Sequence, residues 1–483
     1  MSLLDLGAAQ RGIWNAQLLD PTSPYYVVGE VLELDGLAPG AHGESPVDLL
    51  AEAVRLTIDE SETLRLHFTD TVDGPRQVVD DTPASRPEVR DLSGAPDPVL
   101  LAHAVVDAEK ASCGERWRTM TDGDLHRYLI LDLGSDDAGL RRVWCVQLYH
   151  HIIVDGYSAA LLTRRTAAHY TELAGGRAAR RTRFAPIAEI VETDLAYAAT
   201  DKDADRAFWH DYLTPAPDTA GREDHVHGAG PTSITTTVRL SAGEMADLRS
   251  RAEDAGLVWS DLVMAAYGAW LRKFGFAGDE ALLAMPMMAR TSGPLRRTPA
   301  MLVNMLPLRF PVAGTDTLEQ VAAAAHSALD SVRSHQRYPG SELARDLRGT
   351  GGPAVLHGIG LNLKTFDFSL DFNGTVGVLR NVAGGPPEDL VLVVTPAADG
   401  GVDLGFETDP VSVPAVTARQ RLVDIRAFLT CSGPLADVRL RDAAFRASVA
   451  EARAGEPLPE VVPTLDDLID RLGGRAVGES AWE

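Results

Sequence analysis

The chain has 483 residues, of which 45% are hydrophobic and 24% are charged, and its formal net charge is −24. This length predicts two or three domains, and an ordinary charged fraction argues against wholesale disorder. A chain this acidic repels phosphate backbones, so nucleic acid is a poor partner unless a local basic patch overrides the total charge.

Cysteine usage and the lack of long apolar runs narrow the class of protein further. The widely spaced Cys113, Cys145 and Cys431 argue against a disulfide framework and favour the reducing cytoplasm. The sequence has no Cys-x-x-Cys or His-x-x-x-His pattern, so no metal site is predicted. The N-terminus does not read as a signal peptide, and no apolar run reaches the roughly 18 residues of a membrane span.

The first half of the chain alternates between strand-like and helix-like patterns. Strands are predicted in "YVVGEVLELDG", "ETLRLHF", "RYLILDLG" and "RRVWCVQLYHH". Helices are predicted in "SPVDLLAEAVRLTIDES" and in "SAALLTRRTAAHYTELAGG", where Gly175 and Gly176 stop the second helix.

A breaker-rich segment at residues 213–233 is the clearest linker candidate, and the pattern restarts after it. Ser241 and Glu244 have the spacing of a capping box at the start of a helix. Further helices are predicted in "SDLVMAAYGAWLRKFG" and "VPAVTARQRLVDIRAFL", and strands in "ITTTVRL", "MLVNMLPLRFPV", "HGIGLNLKTFDF" and "DLVLVVTPA". Both halves are therefore α/β, and two lobes with a ligand cleft between them are expected.

Two adjacent histidines lie at the end of one predicted strand, in "VQLYHHIIVDGYS" at residues 146–158. Because side chains alternate faces along a strand, His150 and His151 point in opposite directions. They cannot share one role or one metal ion. An Asp-Gly pair then forms the turn before a helix that begins near Tyr157 or Ser158.

The residues alone leave two interpretations of this stretch. In the first, both histidines are buried and satisfied by backbone groups, and Asp155 is a helix cap or turn residue. In the second, the stretch is a functional motif. For this composition, His-His-x-x-x-Asp-Gly arises by chance with a probability on the order of 0.003, which favours the second interpretation.

The stretch "HHIIVDG" resembles the signature of condensation domains of nonribosomal peptide synthetases, in the superfamily of chloramphenicol acetyltransferase. Other segments resemble the family's remaining motifs in the family's order: "LGAAQRGIW", "ESETLRLHF", "AFWHDYL", "MLVNMLPLR", "HQRYP" and "GIGLNLKTFDF". The resemblance implies an α/β fold of two chloramphenicol acetyltransferase-like lobes that form a V-shaped pseudo-dimer with a central tunnel.

Within the family, "AAQRGIW", "VNMLPLR", "HQRY" and "LNLKTFDF" are similar to the enterobactin-type domain, which joins an aryl acid on one carrier protein to an amino acid on another. The resemblance implies a division of the chain into four parts. These are a first lobe at 1–180, a connecting segment at 181–233, a second lobe at 234–447, and a linker at 448–483 toward a truncated adenylation domain.

The resemblance also implies amide bond formation between a donor acyl thioester and the amine of an acceptor aminoacyl thioester. Both arrive on 4′-phosphopantetheine arms, from an upstream and a downstream carrier protein, and the domain itself binds no cofactor. His151 matches the family's active-site histidine. Its expected role is general base. Because the amine is already partly neutral, His151 is alternatively expected to orient it, or to accept its proton as the C–N bond forms and stabilise the tetrahedral intermediate.

Other motif residues are expected to support His151. The resemblance implies that Asp155 pairs with an arginine, and Arg290 is the candidate. The alternative is that Arg290 is only a charge at the rim of the site. Gly156 leaves room for the pantetheine tunnel or serves turn geometry, and His150 is expected to be structural. The residues expected to line the tunnel or contact substrate, or else to be structural, are Tyr149, Ser158 and Asn304.

Several alternatives stay open. The site does not dictate the nucleophile, so ester formation or CoA-dependent acyl transfer competes with amide formation, as does a catalytically silent recruitment platform. The basic run at residues 177–184 is either a carrier docking patch or a solvated face. The expected partners are the two carrier proteins and an adjacent adenylation domain, with no nucleic acid and no membrane, and a monomer is expected.

Overall fold

The computed structural model describes residues 3–21, 26–177, 183–215, 234–274, 277–347, 359–364, 370–384, 390–397, 399–408 and 413–438. Four predicted features lie partly or wholly outside the described residues. They are the basic run at 178–182, the linker at 216–233, the seventh-motif segment at 365–369 and the tail from 439 onward.

The first half of the chain contains the predicted alternation of helices and strands. Its helices are α1 (Ala8–Leu19), α2 (Pro46–Glu60), α3 (Pro98–Arg116), α4 (Gly156–Leu173), α5 (Ile187–Thr200) and α6 (Lys202–Tyr212). Its strands are β1 (Leu4–Asp5), β2 (Val27–Leu37), β3 (Leu66–Thr71), β4 (Gly74–Val79), β5 (Glu88–Asp91), β6 (His126–Ser135) and β7 (Arg141–His150). As predicted, α4 stops before Gly175, whose positive φ of 86° breaks helical geometry.

The second half of the chain also contains both helices and strands. Its helices are α7 (Ala242–Asp254), α8 (Trp259–Lys273), α9 (Gly293–Arg297), α10 (Leu318–Ser334), α11 (Gly340–Leu347) and α12 (Ala415–Leu429). Its strands are β8 (Ile234–Leu240), β9 (Glu280–Met287), β10 (Asn304–Pro311), β11 (Ile359–Leu363), β12 (Asp371–Phe372), β13 (Thr375–Val376), β14 (Val378–Gly384), β15 (Leu390–Pro396) and β16 (Val402–Thr408). The predicted capping box is confirmed: Glu244 and Ser241 exchange side chain–backbone hydrogen bonds at the start of α7.

Two large sheets organise the described chain. The first has the strand order β14–β2–β7–β6–β5, and only its β5–β6 pair is parallel among the described strands. The second has the order β10–β9–β11–β15–β16–β8, with β11 parallel to both of its neighbours. Within the first sheet, β2 and β7 are antiparallel and place Val27 opposite His150. The histidine pair therefore lies where β7 leaves this sheet.

Strand β14 crosses from the second half of the sequence into the first sheet. Its residues pair antiparallel with β2, from Val378 opposite Glu33 to Gly384 opposite Val28. The preceding Phe372 is 1% exposed and packs in the core of the first lobe. The sequence analysis assigned these positions to the second lobe, whereas in the structure residues 370–384 complete the first.

Each sheet has its own apolar core. In the first, α2 packs on α4, and the hydroxyls of Thr57 and Thr166 meet 3.0 Å apart between them. In the second, α8 approaches β10 closely at Gly268, where a Cβ would lie 2.8 Å from the ring of Phe310. A larger residue at this position would push the helix off the sheet.

Candidate active site

His151 is the first residue after β7 and begins the turn that leads to α4. Its backbone N–H donates to the carbonyl oxygen of Tyr26 at 2.7 Å. The strand ends one residue earlier than the sequence predicts, because the chain turns at this point. We call residues 151–155 the histidine loop.

His150 is a buried, neutral residue. Its Nδ1 accepts from the N–H of Ile152 at 3.2 Å, so the ring proton is on Nε2 and faces Oε1 of Gln17 at 3.4 Å. Burial, with a smaller contribution from His151, lowers the pKa of His150 to about 3. His150 therefore carries no charge near neutral pH.

His151 has the tautomer that a proton acceptor needs. Its Nδ1 lies 2.9 Å from the carbonyl oxygen of Val154. A carbonyl can only accept, so Nδ1 carries the proton and Nε2 keeps its lone pair. Within the described residues, Nε2 has no hydrogen-bond partner. Burial lowers the pKa of His151, although Asp155 and the Val154 carbonyl oppose this shift.

Asp155 is the N-cap of α4 and the main anchor of the histidine loop. Its carboxylate accepts from backbone N–H groups of Ser158 at 2.9 Å, Leu302 at 3.0 Å and Val303 at 3.1 Å. Burial alone would raise the pKa of Asp155, but Arg290 and these N–H donors outweigh burial and hold it below its ordinary value. Asp155 is thus an ionised anchor, and its hydrogen-bonding capacity is taken up by the fold.

Arg290 follows β9 and binds Asp155 through two parallel hydrogen bonds of 2.8 and 3.1 Å. Its side chain is 1% exposed, so it is not a rim charge. It also donates to the Met288 carbonyl at 3.2 Å. Its guanidinium carbon Cζ lies 4.7 Å from the ring centroid of Tyr157. The predicted Asp155–Arg290 pair is therefore present, and it ties the start of α4 to the second half of the chain.

Ser158 belongs to the same network. Its hydroxyl donates to the carbonyl of Ala300 at 2.7 Å, and it accepts from the N–H of Ala300 at 2.8 Å and from Nη2 of Arg290 at 2.7 Å. The side chain is fully buried. In this structure Ser158 supports the Asp155–Arg290 pair.

Tyr149 and Asn304, expected to line the tunnel or to be structural, both have protein partners. Tyr149 is fully buried. Its hydroxyl lies 2.7 Å from the hydroxyl of Tyr128 and donates to Oε1 of Gln147 at 3.1 Å. The Asn304 amide donates to the carbonyls of residues 336 and 338 and accepts from the N–H of residue 340, at 2.7–2.9 Å. These contacts are those of structural residues.

Gly156 is the first residue of α4 and is exposed. A Cβ at this position would have no heavy atom within 4 Å, and its φ lies outside the left-handed region. The backbone therefore does not require glycine here. The space in front of Gly156 is open.

Two residues of α1 that the sequence analysis did not name as site residues reach the histidine loop or His150 just before it. Gln10 donates from Nε2 to the carbonyl of Ile152 at 3.3 Å, and Gln17 contacts His150 as described. Both are buried in α1, with 4% and 2% exposure. Their signal in the sequence was a seven-residue spacing on the face that also carries Ile13 and Trp14, where buried glutamines are unusual.

No cluster of three or more His, Cys, Asp or Glu side chains in the described part of the chain could hold a metal ion. The cysteines Cys113, Cys145 and Cys431 are all described, and none forms a disulfide. Among the described helices, none has both the length and the apolar character that crossing a bilayer requires.

The sequence matches the family model "Condensation domain" over residues 3–357. It is 30% identical over 409 residues to a dimodular nonribosomal peptide synthase of Bacillus subtilis (strain 168), with 84% of this chain and 16% of the relative covered. It is 31% identical over 422 residues to enterobactin synthase component F of Escherichia coli O157:H7, with 84% and 30% covered. The predicted resemblance to the enterobactin-type domain is confirmed.

Solved structures show the same fold. The first condensation domain of the calcium-dependent antibiotic synthetase, in complex with a substrate analogue, superposes with a TM-score of 0.76 at 26% identity, covering 91% of this chain and all of the other. A mutant starter condensation domain of rhizomide synthetase, in complex with C8-CoA and Leu-SNAC, gives 0.77 at 28% identity, covering 91% and 98%.

The chain spans less than a third of the length of these two curated relatives, which are multidomain synthetases. The match covers the region from α1 to α11, which includes the histidine loop, Asp155 and Arg290. The predicted family and fold are confirmed: the chain belongs to the condensation domains of nonribosomal peptide synthetases, which are acyltransferases that form amide bonds.

Proposed function

We propose that this domain joins a donor acyl group to the amine of an acceptor aminoacyl thioester, with both substrates held on phosphopantetheine arms of carrier proteins. An upstream carrier delivers the donor and a downstream carrier delivers the acceptor. The domain acts as a cytoplasmic monomer next to an adenylation domain. The amine attacks the thioester carbonyl, the C–N bond forms, and the carrier thiol leaves with a proton.

The observation that carries the proposal is the protonation pattern of His151. Its Nδ1 proton is committed to the Val154 carbonyl at 2.9 Å, and its lowered pKa keeps Nε2 unprotonated near neutral pH. An Nε2 lone pair suits either role predicted for His151. It can accept the amine proton as the C–N bond forms, or it can orient an amine that is already neutral.

Asp155, Arg290, Ser158 and His150 hold the loop in this proposal and do not exchange protons with the substrate. Each is buried and engaged with protein groups. Gly156 leaves space for the pantetheine arm. Tyr149 and Asn304 act through the fold, because the polar atoms of both already have protein partners.

The test mixes donor-loaded and acceptor-loaded carriers with the domain and detects the amide by mass spectrometry. His151→Ala should abolish formation, whereas His210→Ala, at a side chain 59% exposed on α6, should not. Equal product with wild type and His151→Ala would defeat the catalytic assignment. Product only with an alcohol acceptor or an acyl-CoA donor would favour the alternative acyltransferases. Carrier binding without product from any pair would favour the recruitment platform.

The donor class is a further part of the proposal. The similarity to enterobactin synthase component F favours an aryl donor on a carrier. The rhizomide neighbour was solved with C8-CoA, which supports comparing an acyl-CoA donor in the same assay. Rates with aryl-carrier, fatty acyl-carrier and acyl-CoA donors would separate these classes.

A further inference from the structure

Helix α1 contacts the histidine loop from the side of the first lobe. Gln10 and Gln17 are seven residues apart, which is two helical turns, so they project from the same face of α1. Their side chains reach groups on either side of His151 in the sequence. Gln17 meets the ring of His150 at 3.4 Å, and Gln10 meets the carbonyl of Ile152 at 3.3 Å.

The hydrogen bonds of Gln10 leave its amide no freedom to turn. Nε2 donates to Oε1 of Gln77 at 3.0 Å as well as to Ile152, while Oε1 accepts from the N–H of Gly7 at 2.9 Å and from Nε2 of Gln77 at 3.0 Å. Four hydrogen bonds, to three residues, fill the four hydrogen-bonding positions of the Gln10 amide. The donor that faces Ile152 is therefore held in one direction.

The contact of Gln17 decides the tautomer of His150. Because its Oε1 can only accept, it requires a proton on Nε2 of His150, and Nδ1 is then free to accept from the N–H of Ile152 at 3.2 Å. Both backbone polar groups of Ile152 thus depend on α1, the carbonyl directly and the N–H through His150. Ile152 is the residue that follows His151.

We infer that Gln10 and Gln17 are positioning residues for His151, which set the path of the histidine loop and hence the direction of the His151 Nε2 lone pair. This inference rests on the proposed function and extends it to α1. The Asp155–Arg290 pair anchors the loop at its α4 end, and the glutamines anchor it at its β7 end. Two anchors on opposite sides leave His151 little freedom to rotate with the backbone.

The first experiment compares Gln10→Met with Thr57→Val. Both remove a buried hydrogen bond of the first lobe, but only Gln10 touches the loop, whereas Thr57 meets Thr166 between α2 and α4. Gln10→Met should lower kcat on the order of 10- to 100-fold with KM for both substrates nearly unchanged, since a small misplacement of a reacting group has effects of this size. Thr57→Val should destabilise the fold and reduce kcat much less. Equal losses in kcat at equal folded fraction would overturn the inference.

The second experiment uses rescue at residue 17. Gln17→Met removes the acceptor opposite His150, whereas Gln17→Glu keeps an oxygen there. We expect Gln17→Glu to retain more of the wild-type kcat than Gln17→Met. If both lose the same activity at equal folded fraction, then Gln17 has only a packing role.

A third readout does not depend on turnover. Nitrogen chemical shifts of the His151 ring, measured in the full chain across a pH titration, report its tautomer and its pKa. In Gln10→Met the loop loosens, burial is relieved, and the pKa of His151 should rise toward its ordinary value. An unchanged titration would contradict the inference. If wild type forms no amide but this shift occurs, the proposed function fails and the positioning role stands.

Discussion

At His151, one hydrogen bond to a backbone carbonyl decides which ring nitrogen keeps its lone pair. The Val154 carbonyl holds the proton on Nδ1 at 2.9 Å, and burial keeps the ring neutral to lower pH than an exposed histidine. The motif predicts which histidine acts. The tautomer depends on the turn that the loop makes, which the motif letters do not describe.

The pH dependence of the reaction should follow this lowered pKa. We expect the acidic limb of the kcat/KM profile to lie below pH 6.5, because unprotonated His151 persists below the ordinary histidine range of about 6.5. The acceptor should be an alkoxyamine analogue, whose weakly basic nitrogen stays neutral throughout. If the acidic limb of kcat/KM lies above pH 6.5, it does not report His151, and the proposed role of this residue is contradicted.

His150 should make stability depend on pH. Its pKa is about 3 in the fold and 6.5 when exposed, so its stabilising contribution is fully present above pH 6.5 and is lost as the pH falls toward 3. Between pH 7 and pH 5 the loss from this group amounts to about 2 kcal/mol. Chemical denaturation at both pH values measures this loss. From pH 7 to pH 5, the free energy of unfolding of His150→Gln should fall by about 2 kcal/mol less than that of wild type. Equal losses in wild type and His150→Gln would contradict this prediction.

At the scale of elements, the start of α4 is joined to the segment after β9 by a buried ion pair. Asp155 and Arg290 are 135 residues apart in the sequence, and both are nearly inaccessible. The resemblance supplied the candidate partner. The depth of the pair, and the inclusion of Ser158 in it, follow from how β9 and the segment around Ala300 pack against α4.

Breaking this pair on one side should destabilise the fold strongly. Arg290→Met leaves the Asp155 carboxylate buried without its cation, and we expect a loss of about 3–5 kcal/mol in the free energy of unfolding. The double variant Asp155→Asn, Arg290→Met removes the unpaired charge and should recover part of that loss. Arg333→Met disrupts an exposed pair with Asp330 and should change stability by less than about 1 kcal/mol. Denaturant titrations give all three values, and a single-variant loss no larger than the Arg333 control would contradict the prediction.

At the scale of the whole molecule, the two halves of the sequence are not two independent lobes. Strand β14 pairs with β2, and Phe372 lies in the first core, although both follow most of the second sheet in the chain. The division at residue 234 is a reasonable prediction from a linker-like composition. That division does not predict that β14 and Phe372 join the first lobe, because strand partners far apart in sequence leave no local pattern.

Because residues 370–384 complete the first lobe, the stability of that lobe should depend on a residue late in the chain. Phe372→Ala creates a cavity in the first core and should lower the free energy of unfolding by about 3–5 kcal/mol. Hydrogen exchange should accelerate in β2 and β7, more than in β15 and β16. Val376→Ala, at a side chain 68% exposed, serves as the control and should change stability by less than about 0.5 kcal/mol. Faster exchange in the second sheet alone would rule out this coupling.

The sequence by itself determined the family, the α/β alternation and, through the family resemblance, the identity of Arg290 as the partner of Asp155. The alternation follows from local periodicity, and the family and the ion pair follow from motifs that resemble those of the family. Only the tertiary structure decided that β14 completes the first sheet, that Asn304 and Tyr149 are satisfied within the protein, and that Gln10 and Gln17 reach the histidine loop and the adjoining His150. Each of these depends on which distant backbone groups meet, and hydrogen-bond partners of that kind are set by packing and not by neighbouring residues.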